Sequence, residues 1–146
     1  MIKPEWFGGN QDGVVMMEAM RTLAHIWDDL IDRDKQVSSE DVNKAFHIAL
    51  VELPMNPLYQ FIQKEVAPMW LTTILAYDTA NRFEKAKDAH GIEIAHNLRY
   101  AAGHIIAYAV HVCVGTEKAR EYLPEIWKII VAERFEDYSK EHLRDI

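Results

Sequence analysis

Apolar residues recur along most of this chain at intervals of three and four, the period that gives a helix one buried face. No segment alternates apolar and polar residues strongly enough to predict a strand. Residues 1–12 hold Pro4, Gly8, Gly9 and Asn10 and read as an irregular arm, with Trp6 and Phe7 as its anchors. A helix is predicted from Gly13 to Asp34, with Met16, Met20, Leu23, Trp27, Leu30 and Ile31 on its apolar face. Glu18, Arg21, His25, Asp29 and Asp32 lie around the other side, and Asp28 sits at the boundary. Ser38 or Ser39 caps a second helix, whose expected buried stripe is Val42, Ala45, Phe46, Ala49, Leu50 and Leu53.

Pro54 and Pro57 bound a break. Tyr59 to Val66 reads as a short helix, Pro68 starts or kinks the next, and that helix runs to about Lys87. Gly91 precedes a long helix through Val114, where Ala101, Ala102, Gly103, Ala107 and Ala109 let neighbouring helices approach closely. Gly115-Thr116-Glu117 reads as a stop and a fresh cap. A last helix, interrupted near Pro124, then runs toward Tyr138. The expectation is an all-α protein, a compact bundle of four long helices plus one short helix. It forms a single domain over residues 13–146 behind the arm.

Composition narrows the function classes. The 146 residues suit one domain, and 49% hydrophobic with 27% charged residues is globular composition. A net charge of -7 without a Lys/Arg cluster argues against nucleic acid and against anionic lipid as partners. Cys113 is the one cysteine, set in an apolar run, and reads as a small buried hydrophobe in a reducing, cytoplasmic setting. The first residues lack the pattern of a signal peptide. The apolar stretch Ala101–Val114 is shorter than the roughly 20 residues a membrane helix needs, so no membrane insertion is expected.

The strongest chemical lead is Asp28-Asp29-Leu30-Ile31-Asp32. Asp28 and Asp32 stand four residues apart on adjacent turns, where two unneutralised carboxylates repel each other. A Mg²⁺ ion would relieve that repulsion, and so would nearby basic groups; Arg21, His25, Arg33 and Lys35 are the local ones. The segment resembles the first aspartate-rich motif of the class I isoprenoid (terpenoid) synthases, all-helical enzymes that hold allylic diphosphates through Mg²⁺. That resemblance implies Asp28 and Asp32 as metal ligands against a substrate diphosphate. The family's second motif, Asn/Asp-Asp-x-x-Ser/Thr-x-x-x-Glu, is approached by residues 77–85. Asp78 fits it and Asn81 stands at the hydroxyl position, while Tyr77 and Lys85 depart from it and Glu84 is one residue out of place. Arg82 and Arg99 would then contact phosphate. The chain is also similar, more distantly, to the small acidic MazG-like nucleotide pyrophosphohydrolases. There Glu133-x-x-Glu136-Asp137 is the nearest approach to their paired acidic motifs.

Other polar residues interrupt apolar faces. Glu93, Asn97, Tyr100, His104, Tyr108 and His111 fall near one stripe, which either meets solvent or a second subunit, or faces a cavity with His104 as a general base or metal ligand. Arg99, among Ala95, Ala102 and Ile106, needs a carboxylate or phosphate partner. Glu133, projecting among Ile126, Ile129 and Ile130, needs a countercharge, from Arg99, Arg82 or a metal. The histidines make no zinc pattern. Two functions remain in view: a non-catalytic helical protein acting as a homodimer, with Trp6, Phe7, Trp70 and Trp127 as interface anchors, or a Mg²⁺-dependent enzyme acting on a diphosphate-containing small molecule.

Overall fold

Trp6 and Phe7 fix the arm before the first long helix starts. Pro4–Phe7 forms a 3-10 turn, and both aromatic side chains are buried in the main core rather than left on the surface. The computed structural model describes residues 1–32 and 36–143 of the protein, so Arg33, Asp34 and Lys35 and the end of the expected domain at 144–146 lie outside the described residues. Helix α1 spans Gln11–Asp32 and packs Met16, Met17 and Met20 against the aromatic arm.

Helix α2, Ser39–His47, starts at the expected cap, with the Ser38 hydroxyl accepting from the Asp41 amide at 3.0 Å. It runs on through a wider π-helical turn, Ile48–Glu52, into a last turn, α3, Leu53–Met55. The extra residue of a π turn rotates everything after it around the axis. Ile48 at its start and Leu53 after it are buried, and Leu50 within it is exposed although expected in the core; Phe46, also expected there, is exposed before the turn begins.

Asn56 begins helix α4, Pro57–Ala86. Its side-chain oxygen accepts from the amides of Leu58 and Tyr59 at 2.9 and 3.2 Å, and its Nδ2 donates to the Asp12 carbonyl at 2.9 Å, tying the starts of α4 and α1 together. The short helix expected at 59–66 is the beginning of α4, which continues straight through Pro68. That proline lies on the exposed side, where the carbonyl it leaves unbonded can reach water.

Lys87 turns the chain in the left-handed region, and Asp88 caps α5, Ala89–Leu98, on the Gly91 amide at 2.8 Å. The long helix expected here is divided. Residues 99–102 form turns, and α6, Gly103–Ile130, follows. Gly115 breaks α6 with φ 83° and ψ 172°, as its sequence suggested, while Pro124 lies within the helix without ending it. Gly103 packs so tightly that a Cβ there would stand 2.6 Å from the Trp127 ring. Helix α7, Phe135–Leu143, closes the described chain.

The described residues thus form an all-α bundle of four long helical runs, α1, residues 39–55, α4 and α6, with the shorter α5 and α7 beside them. Two apolar clusters hold it. The larger joins the arm, α1, α4 and α6, and the smaller gathers Ala80, Ile92, Ala95 and Tyr138 from α4, α5 and α7. Among the described residues, no helix is long and apolar enough to cross a membrane.

Candidate functional site

Between the two clusters lies one buried cation. Arg99 sits on the turn that divides α5 from α6, and its side chain is 8% exposed. An arginine stays ionised under all ordinary conditions, so burial there demands countercharge. The protein supplies three carboxylates. Glu84 of α4 takes Nε at 2.8 Å and also pairs with Nη2, Asp28 of α1 accepts from Nη1 at 3.2 Å, and Asp32 approaches Nη2 at 3.7 Å. Asn81 accepts from Nη2, and the guanidinium carbon stands 4.9 Å from the centroid of the Tyr77 ring. Tyr77 is in turn stacked on Trp27 at 4.0 Å.

Helix periodicity explains why these residues converge. Tyr77, Asn81 and Glu84 are spaced four and three apart, so they share the inner side of α4. Asp28 and Asp32 occupy the inner side of the end of α1, and Leu30 and Ile31, expected in its apolar face, are exposed instead. Helix α7 completes the arrangement. The Tyr138 hydroxyl donates to Glu84, and His142 lies 3.7 Å from the same carboxylate. The α6–α7 turn is held by buried His96, whose Nε2 lies 3.0 Å from the Glu133 carbonyl and whose ring meets Tyr138, Tyr100 and Phe135.

A cavity of about 470 Å³ opens beside this network. Met20, Ala24, Ala102, Ile106, Ile129 and Ile130 form its apolar wall. Its polar wall carries five carboxylates, Asp28, Asp29, Asp32, Glu133 and Glu141, against two arginines, Arg21 and Arg99, with His25 and His142 beside them. Arg99 is already shared among three carboxylates, so the field inside favours positive charge. Burial raises the pKa of Asp28, with Arg99 pulling the other way and Glu84 adding to the rise. Burial likewise raises Glu133, and the neighbouring Glu141 adds to it. The Tyr100 hydroxyl is pushed up to about 12 by burial and by Glu133.

The residues singled out from sequence are brought together in part. Asp28, Asp32, Arg99 and Glu133 all line the cavity. Asp78 does not join them; it lies on another side of α4, exposed, paired with Arg82 at 3.1 Å. His104 is exposed and packs edge-on to Trp127, 5.1 Å between centroids, outside the cavity lining. Among the described residues no group of three or more His, Cys, Asp or Glu side chains is arranged to hold a metal ion. The oxygens of Asp28 and Asp32 are turned to the Arg99 guanidinium. The contributions of Tyr138 and His142 were missed; their four-residue spacing on α7 was the available signal.

No family model, curated protein or solved structure matches this chain.

Proposed function

We propose that this is a non-catalytic, cytoplasmic, homodimeric helical protein whose cavity binds a small organic cation with an apolar body. The observation that carries the reading is the cavity wall: five carboxylates against two arginines, facing a lining of alanine, methionine and isoleucine side chains. Pockets for small molecules combine a mostly apolar lining with a few placed polar groups, and about 470 Å³ falls within their usual 300–1,000 Å³. A primary ammonium group on a short alkyl chain satisfies both walls at once. Asp29, Glu133 and Glu141 supply acceptors to the ammonium, and the isoleucines take the chain.

Thermal unfolding with hexylamine tests this. A ligand at about 100 times its Kd stabilises the native state by roughly 2.7 kcal/mol, several degrees in Tm for a domain of this size. Hexylamine should raise Tm, hexanol and hexanoate should not, and Asp29→Asn with Glu133→Gln should abolish the rise. No rise with hexylamine at millimolar concentration rejects the reading.

A second reading keeps a diphosphate-containing small molecule with Mg²⁺, favoured by one observation: Asp28, Asp29 and Asp32 share the cavity wall. Its test is Mg²⁺ with pyrophosphate in the same assay. A rise there, lost in Asp28→Asn with Asp32→Asn and absent with hexylamine, would replace the first reading with this one.

A further inference from the structure

Helix α4 is apolar on two opposite sides. Leu58, Ile62, Val66, Thr73, Tyr77 and Ala80 are buried on the inner one. Half a turn round the axis, Phe61, Pro68, Leu71 and Leu75 follow at spacings of seven, three and four. Phe61, Leu71 and Leu75 are 77%, 60% and 57% exposed, and Ile74 beside them is 52% exposed. A helix at the edge of a bundle needs one apolar stripe to join its own fold. A second stripe at this period is the pattern by which a helix meets another helix. The aromatic residues expected to anchor an interface do not compete for that role, since Trp6 and Phe7 are buried, Trp70 is partly buried against the core and Trp127 is partly buried beside Gly103 and His104.

We infer that the outer stripe of α4 is the surface on which two copies of this chain pair, antiparallel, about a two-fold axis near Leu71. The inference rests on the homodimer reading above and locates its interface. Two observations favour a second copy. With Phe61 drawing on the roughly 150–250 Å² of an aromatic side chain and Leu71, Ile74 and Leu75 on somewhat less each, the four exposed residues present on the order of 400 Å² of apolar surface. Doubled across the axis and ringed by polar side chains, that approaches the roughly 1,200 Å² at which stable interfaces begin. The stripe is also self-complementary in charge. Lys64 and Asp78 each lie seven residues from Leu71, so the two-fold sets Lys64 of each copy toward Asp78 of the other. Lipid is the weaker occupant, because Glu65 and Asp78 offset Lys64 and Arg82 along α4 and the chain as a whole carries -7.

Sedimentation equilibrium at micromolar concentration should give about twice the chain mass of 16.9 kDa. Leu71→Asp should give a monomer with unchanged helical circular dichroism and an unchanged Tm response to hexylamine, because the stripe lies outside the cavity lining. Phe46→Asp, an exposed site on α2, should leave the dimer intact. In a Cys113→Ala background, Leu71→Cys should form a disulfide-linked dimer on mild oxidation and Phe46→Cys should not. A monomeric wild type overturns both the homodimer reading and the inference, whether or not it floats with zwitterionic vesicles. A dimer that survives Leu71→Asp, or that cross-links through Phe46→Cys instead, keeps the homodimer and overturns its assignment to α4.

Discussion

Replacing Arg99 by methionine keeps much of the side chain's bulk and removes the charge that three carboxylates share. The cost follows from how wet each partner is. Glu84 is 9% exposed beside an arginine at 8%, so this is a buried pair, and deleting one member of a buried pair costs about 3–5 kcal/mol. Asp32 and Asp28, at 23% and 41% exposed, are screened by water and add about 1 kcal/mol or less between them. Arg99→Met should therefore lose about 3–5 kcal/mol in urea unfolding, with an m-value close to wild type. That is a large share of the roughly 5–15 kcal/mol that holds a domain together. Burial already holds the Asp28 carboxyl above the ordinary range with Arg99 opposing the rise, so without the guanidinium its folded-state pKa stands further above the unfolded one. The folded mutant then binds more protons than the unfolded chain, and its stability falls as pH rises through that raised range. The deficit should accordingly be widest at neutral pH and narrow on acidification. Adding Glu84→Gln removes the stranded charge and should recover part of the loss, with the glutamine still able to accept from Tyr138. A loss under about 1 kcal/mol at pH 7, or a double variant no more stable than Arg99→Met alone, would refute the buried-pair account.

Gly115→Ala should cost about 1–3 kcal/mol without any clash, since φ 83° and ψ 172° is backbone that glycine alone adopts readily and nothing lies within 4 Å of an added Cβ; chemical denaturation measures it. Gly103→Ala should cost a similar amount for the opposite reason, because the methyl group meets Trp127 at 2.6 Å, and tryptophan fluorescence should report the displaced ring. Asn56→Ala removes the cap of α4 and the tie to Asp12, and should lower stability by about 1–2 kcal/mol. Asp28 and Glu133 have folded-state pKa values raised chiefly by burial, so their contribution to stability is present at low pH and lost as pH rises through the raised range. Hexylamine needs Glu133 ionised, so calorimetry should find its affinity falling on acidification at a higher pH than an ordinary carboxylate would give.

Local signals carried most of the fold. Ser38 at a cap, Gly115 at a break and the 3.6-residue period of α1 were legible because each is set by the backbone within a few residues. The departures come from longer range. The π turn at Ile48–Glu52 has no composition signal, and Leu50 within it is exposed while Ile48 is in the core. Leu30 and Ile31 looked like core because they continue an apolar face. At that end of α1, however, the neighbouring elements offer Arg99 and Tyr77 rather than an apolar wall, and Asp28 and Asp32 take the inner positions. The α5–α6 division at residues 99–102 was hidden by alanines that suit a helix, yet that turn is what aims Arg99 at the three carboxylates.

Two aspartates four residues apart on a helix state a demand for positive charge, and nothing in their spacing says which cation answers it. In a synthase-like arrangement the answer is Mg²⁺ and a second acidic helix completes the shell. Here a guanidinium from 71 residues further along the chain answers it, and the second acidic helix contributes Glu84 rather than Asp78. The difference between those two acids is angular. Glu84 stands seven residues from Tyr77, two turns on along the inner side, while Asp78 stands one residue away, about 100° round the axis, where Arg82 meets it in solvent. Once Arg99 is in place, Asp29, Glu133 and Glu141 remain on the cavity wall, and these are the groups a cationic ligand would meet. The acidic motif therefore does two things at once. Its inner oxygens hold the helices to Arg99, and its remaining carboxylate helps set the sign of the cavity.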